Sequence, residues 1–145
     1  MNINFLRIAL ASACLTLGAG SIACAADKPC TKADAANGEK AIERTNNWNQ
    51  LYKSWQDYRH CDTGTVADGY TDSLMRLIVE WKGVDTIAAL MHKDPEFKEW
   101  VHARLKSPAA KDDQPTVYSR AMASCPKGMD AFCAELAESV KPAAK

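Results

Sequence analysis

Cysteine is the residue type with the most evident chemistry in this chain. Six are present, and two of them, Cys14 and Cys24, fall in the first 25 residues. No C-x-x-C pair occurs, so neither a dithiol redox centre nor a zinc ribbon is encoded, and no C-x-x-C-H offers a haem attachment. His60, His92 and His102 are scattered rather than paired at ligand spacing. The expectation is therefore no metal site and no cofactor, with the histidines as ordinary surface or helix-end residues.

Other catalytic patterns are missing too. The chain holds no G-x-S-x-G, no H-E-x-x-H, no phosphate-binding glycine loop and no dinucleotide fingerprint. The run from Asp62 to Asp68 starts like a calcium loop, but Val66 and Ala67 stand where an oxygen ligand and a glycine are required. Trp48, Trp55, Trp81 and Trp100 could stack on a sugar, yet all four fall on apolar helical stripes, which favours core packing. Met75, Met91, Met122 and Met129 form no closely spaced array for copper and read as core fillers. Asp62, Asp68 and Asp72, with Asp57 and Glu80 nearby, form a possible acidic edge around the turn after Cys61. A solvated helix face is the ordinary account of such residues. The functional account is a partner-binding edge, with Asp62, Asp68 and Asp72 as charge partners and Tyr70 as an anchor if exposed. Tyr70 also lies on the Val66–Leu74 stripe, which would bury it.

The N-terminus sets the compartment. Residues 1–7 carry one positive charge, Arg7; residues 8–22 are apolar or small; Ala23-Cys24-Ala25 supplies a small-residue cleavage site. The apolar stretch is shorter than the ~20 residues that span a bilayer and is broken by Gly18 and Gly20. This order reads as a signal peptide over residues 1–25, followed by a single helical domain over 26–145 in the periplasm. A lipid anchor at Cys24 is the rival, weakened by the absence of a large aliphatic residue three positions before it. No further segment reaches membrane-spanning length. Eighteen basic residues face eighteen acidic ones, evenly spread, so a nucleic-acid partner is not expected.

The mature chain keeps Cys30, Cys61, Cys125 and Cys133, an even count that reads as two disulfides in an oxidising compartment. If Pro126 opened the last helix, Cys125 and Cys133 would lie about 12 Å apart along its axis at 1.5 Å per residue, beyond the roughly 7 Å limit for a bridge. If residues 126–128 form a turn instead, the pair becomes possible. The local pairings Cys30–Cys61 and Cys125–Cys133 are preferred on this basis, with the other connectivities open.

Helical periodicity dominates the elements that must hold these residues. A helix over 32–44 is interrupted by Asn37-Gly38. Trp48, Leu51, Tyr52, Trp55 and Tyr58 recur at three and four residues on a helix that starts between Thr45 and Asn47. A third helix over 65–81 buries Val66, Tyr70, Leu74, Leu77, Ile78 and Trp81, with Asp72–Arg76 and Arg76–Glu80 pairs outside and Gly83 as terminator. Residues 84–92 form a short helix. Asp94-Pro95-Glu96 opens the next one as cap, first-turn proline and first-turn acid. Residues 106–114 read as a surface loop, Asp113-Gln114-Pro115 opens another helix, and Met129, Phe132, Cys133, Leu136 and Val140 lie on the last. The tail from Lys141 onward frays. The fold class is all-α: an irregular bundle of six or seven short helices with two disulfides.

The stretch from Cys61 to Asp72, with Gly64, Gly69-Tyr70 and an aspartate at the start of an apolar helix, together with Cys125-Pro126, resembles the Tai/Rap class of periplasmic immunity proteins. The resemblance implies a small, exported, helical, disulfide-bonded protein that blocks a peptidoglycan amidase injected through type VI secretion. It implies no particular inhibitory residue. Together the readings point to a non-enzymatic periplasmic binding protein with a protein partner. The alternatives are an envelope chaperone or assembly factor, or a small hydrolase with an unrecognised site.

Overall fold

The computed structural model describes residues 28–141; the expected signal peptide, Cys24 and residues 142–145 lie outside the described residues. Seven α-helices follow in order: α1 (Lys32–Glu43), α2 (Trp48–Tyr58), α3 (Gly64–Glu80), α4 (Val84–Lys93), α5 (Pro95–Leu105), α6 (Gln114–Ala123) and α7 (Asp130–Ser139). Single 3-10 turns cover Arg59–Cys61 and Pro108–Ala110, and no strand occurs among the described residues. The bundle is all-α, with disulfides Cys30–Cys61 and Cys125–Cys133. Both bridges fit an oxidising environment for the folded chain.

Local chemistry starts most of these helices. Thr31 caps α1 by accepting from Asp34 N, Asn47 caps α2 by accepting from Gln50 N, and Asp94 caps α5 by accepting from Glu96 N and Phe97 N. Each such cap satisfies backbone donors that the first turn leaves free. Asp94 has a further donor in the Tyr52 hydroxyl, 2.8 Å away. Partial burial would raise its pKa, but the bonds from Phe97 N, Tyr52 and Glu96 N outweigh that and hold it below the usual carboxylate value.

Helix α3 is the centre of the bundle. Its Val66, Tyr70, Leu74 and Ile78 are closed to solvent, and α1, α2, α5 and α6 pack around it. Asn37-Gly38 does not interrupt α1, which runs unbroken through it. Small residues serve close packing instead: a Cβ on Gly69 would stand 3.2 Å from Ile42 Cγ2, which is how α1 and α3 come together. An aromatic cluster joins α2 to α5. Phe97 and Trp100 stack at 5.5 Å, Tyr52 meets Phe97 edge-on at 4.9 Å, and Tyr70 meets Trp100 edge-on at 5.5 Å.

Three local expectations need correction. Helix α3 stops at Glu80, and Trp81 rather than Gly83 takes the first left-handed conformation, at φ 58°. That conformation costs a non-glycine residue about 1–2 kcal/mol; the Trp81 indole N–H offsets it by donating to Ser124 O at 2.9 Å. Gly83, also left-handed at φ 59°, becomes the cap of α4. Arg76 pairs with neither Asp72 nor Glu80, because its guanidinium donates across to Thr45 O at the end of α1. The 106–114 segment is not wholly surface: its 3-10 turn packs against α3 and buries Ala110 completely.

The two bridges hold opposite parts of the bundle. Cys30–Cys61 ties the segment before α1 to the turn between α2 and α3, with Cα atoms 4.9 Å apart. Cys125–Cys133 closes the α6–α7 turn at 6.0 Å. Residues 126–129 form a turn there, with Gly128 at φ 82°, and α7 starts only at Asp130.

Candidate functional site

The residues singled out around Cys61 lie together but play different parts. Asp62 is turned inward. It accepts from the Trp100 indole at 2.7 Å and forms an ion pair with Arg104, both on α5. Arg104 also donates to Ala67 O at 3.3 Å and lies over the Trp100 ring. Asp62 is thus the acceptor of an internal joint, shielded to 15% side-chain exposure. Tyr70 has no exposed surface; its hydroxyl donates to Ser54 O at 2.8 Å, and burial pushes its pKa up to about 12. Its place is in the core, so it offers a partner no contact surface.

Asp68 and Asp72 are the members of the set that face solvent. They stand one turn apart on the outer side of α3, and neither takes part in an ion pair or side-chain hydrogen bond among the described residues. The turn leading into α3 is fixed, Cys61 by its disulfide and Asp62 by Trp100 and Arg104, and Val66 and Tyr70 on the opposite face of the helix are fixed by burial. At the start of α1, Thr31 and Lys28 hydrogen-bond the Asp34 carboxylate and hold its pKa down to about 2.

A second polar cluster was not foreseen. His102, in the last turn of α5, places Nδ1 at 2.7 Å from Ser139 Oγ and Nε2 at 3.1 Å from Glu135 Oε1, both on α7. Lys98 reaches the same Glu135 oxygen at 2.6 Å. Burial lowers the His102 pKa, with Glu135 acting in the opposite sense. Burial would raise Glu135, but Lys98 and His102 outweigh it and hold Glu135 below the usual value. A groove of about 650 Å³ opens beside this cluster, lined by Glu99, His102, Lys106, Glu135, Glu138 and Ser139. The signal for it was present in the sequence: Lys98 and His102 are one turn apart, and so are Glu135 and Ser139, which makes two matched helix faces.

Serine, imidazole and carboxylate in this order have the connectivity of a nucleophile, base and orienting acid. The backbone opposes acyl transfer. His102 and Ser139 lie in the closing turns of their helices, which present carbonyl oxygens and the negative end of the helix dipole. An oxyanion requires N–H donors there instead. The Ser139 hydroxyl is also within 3.0 Å of Glu135 O, one turn back. What the arrangement can do is tie α5 to α7 and take up a proton.

A shallower groove of about 410 Å³ runs between α1 and α2, past Ala41, Arg44, Asn49, Lys53 and Asp57. No group of three or more Cys, His, Asp or Glu side chains among the described residues is placed to hold a metal ion. No described helix is long and apolar enough to cross a membrane. Compared with known proteins, the chain matches no family model and shows no significant similarity to a curated protein or a solved structure.

Proposed function

We propose that this chain is an exported, non-enzymatic binding protein of the periplasm whose partner is a protein, and in its sharpest form an immunity protein that neutralises a peptidoglycan-degrading amidase. The observation that carries the reading is the contrast within residues 61–72. Asp68 and Asp72 are exposed and make no ion pair among the described residues, on a helix whose opposite face is closed in the core and whose preceding turn is pinned by a disulfide and an ion pair. Charged groups held in place before a partner arrives lose little freedom on binding, and they favour a partner of opposite charge. A basic rim around a catalytic cleft would fit them.

The chaperone alternative calls for a sizeable exposed apolar surface. Among the described residues Met122, at 64% exposure, is the one large hydrophobic side chain that stands out, which favours the polar binding edge. The test is to express the full chain with its own leader and an affinity tag in a Gram-negative host, and to recover it oxidised with whatever it binds. The expected result is one stoichiometric partner that cleaves peptidoglycan when alone and is inactive in the complex. Recovery of no partner, with the chain itself cleaving peptidoglycan, would replace this reading with the hydrolase one.

A further inference from the structure

We infer that the groove between α1 and α2 is a binding site for a small organic carboxylate with an apolar body. Its volume, about 410 Å³, falls in the range of pockets that take small molecules. Neither Asp68 nor Asp72 lines it, so the site is separate from the acidic edge and does not rest on the function proposed above.

The groove has a closed floor and long-chain walls. Ser54 of α2, 4% exposed, and Ala41 of α1 lie at its base. Behind Ser54 the Tyr70 hydroxyl stands 3.3 Å from the serine Oγ and donates to the serine carbonyl at 2.8 Å, which joins the floor to the packed core. Arg44, just past the end of α1, forms one wall, and Asn49, Gln50, Lys53 and Asp57 of α2 form the other. The aliphatic stems of Arg44 and Lys53 offer an apolar ligand a surface to lie against. The helices that carry the walls are already held: α1 meets α3 where Ile42 touches Gly69, and Trp48, Leu51 and Trp55 bury the inner face of α2. A ligand therefore does not have to order the backbone around it.

Which ligand suits the groove follows from which of its polar groups are already engaged. Gln50 Oε1 accepts from Asn46 N at 3.0 Å, which leaves the amide NH2 as its available end. The Ala41 carbonyl accepts from the Thr45 hydroxyl at 3.2 Å. Lys53 holds both Asp57 oxygens at 2.6 Å, so these two charges cancel. Arg44, by contrast, enters no ion pair and no side-chain hydrogen bond among the described residues. One positive charge is left over, on a guanidinium whose paired N–H groups match a carboxylate. An anion is thus favoured over a cation. An organic carboxylate is favoured over a bare inorganic anion, because it alone gains from covering the Ala41 surface and the aliphatic stems.

The experiment uses 3-phenylpropanoate as the probe on the oxidised full-length mature protein, followed by amide chemical shifts. The uncharged 3-phenylpropanamide and the cationic 3-phenylpropylamine serve as matched controls. The carboxylate should give saturable shifts centred on residues 41–57, in the millimolar range expected for so small a ligand, and both controls should bind at least fivefold more weakly. Arg44→Gln changes an exposed side chain, so it should keep the melting temperature and weaken the carboxylate at least fivefold. Asp57→Asn, which frees Lys53 from its acid, should tighten it. No saturable shift by about 50 mM, shifts centred on another face, or equal binding of the three probes would each overturn the site. So would unchanged affinity in folded Arg44→Gln, or weaker carboxylate binding in Asp57→Asn.

Discussion

Helix α5 makes two polar joints on opposite sides, and they differ in kind. On one side Trp100 and Arg104, one turn apart, hold Asp62. On the other, Lys98 and His102, also one turn apart, hold Glu135 and Ser139. The Asp62 joint unites an indole, a guanidinium and a carboxylate, and the neighbouring Cys61 is covalently tied to Cys30. The Glu135 joint depends on an ammonium and an imidazole, and Cys133, the disulfide cysteine of α7, lies two residues before Glu135. One helix thus secures a neighbour on each face through different residue types, an indole and a guanidinium on one side and an ammonium and an imidazole on the other. The Asp62 side also reaches α3 itself, where Arg104 donates to Ala67 O, on the helix that carries the exposed Asp68–Asp72 edge.

The largest effect that separates the two regions should come from the bridges. In the chain-entropy account, opening the 31-residue Cys30–Cys61 span costs about 3.7 kcal/mol. Opening the 8-residue Cys125–Cys133 span costs about 2.5 kcal/mol. Urea unfolding of the Cys30→Ala/Cys61→Ala and Cys125→Ala/Cys133→Ala variants should reproduce that order. Equal losses, or the reverse order, would break the comparison.

Next in size is the Asp62 joint itself. Asp62→Ala takes the carboxylate partner from a largely buried Arg104 and the acceptor from the Trp100 indole, a loss of about 2 kcal/mol by the general cost of unpaired sheltered polar groups. Glu135→Ala removes a carboxylate that is 39% exposed and should cost under about 1 kcal/mol. Thermal melts of the two variants side by side would show whether the joints differ as described; a Glu135→Ala loss as large as that of Asp62→Ala would remove the distinction.

A smaller and differently signed test comes from Asp94, a third acid that receives donors, here from α5's own first turn and from Tyr52. Replacing this cap with alanine should cost about 1 kcal/mol. Since its folded pKa is depressed, the contribution of Asp94 is present above the ordinary carboxylate value and disappears as pH falls through the folded one. The Asp94→Ala penalty should therefore persist from pH 7 to 5 and shrink only in stronger acid. A penalty already gone by pH 5 would contradict that assignment.

Much of this arrangement was legible in the residues and some was not, for identifiable reasons. The stripe Trp48–Leu51–Tyr52–Trp55 and the caps Asn47 and Asp94 act within one or two turns, and the helices they imply are present. The bridge Cys125–Cys133 could be judged by reach once residues 126–129 are a turn. The partners of Asp62 could not be read, because Trp100 and Arg104 are 38 and 42 residues away in sequence and only the packing of α5 beside α3 brings them near. Arg76 misled for the same reason: two acids one turn away on its own helix lost to the backbone carbonyl of Thr45, two residues beyond α1. Trp81 shows a tertiary bond overriding a local preference, since a glycine two residues later was the better candidate for the left-handed position. Of the candidate site, the identity of the acids was visible, but which of them faced solvent depended on these distant contacts.

The most direct test of a preformed acidic binding edge is the affinity of Asp68→Lys/Asp72→Lys, measured by titration calorimetry against the partner recovered with the wild-type chain. Both side chains are exposed and make no ion pair among the described residues, so the double variant should keep the wild-type melting temperature. Its complex should be at least tenfold weaker, a change of about 1.4 kcal/mol. Undiminished affinity in a folded double variant would contradict the account and move the binding surface to another face of the bundle.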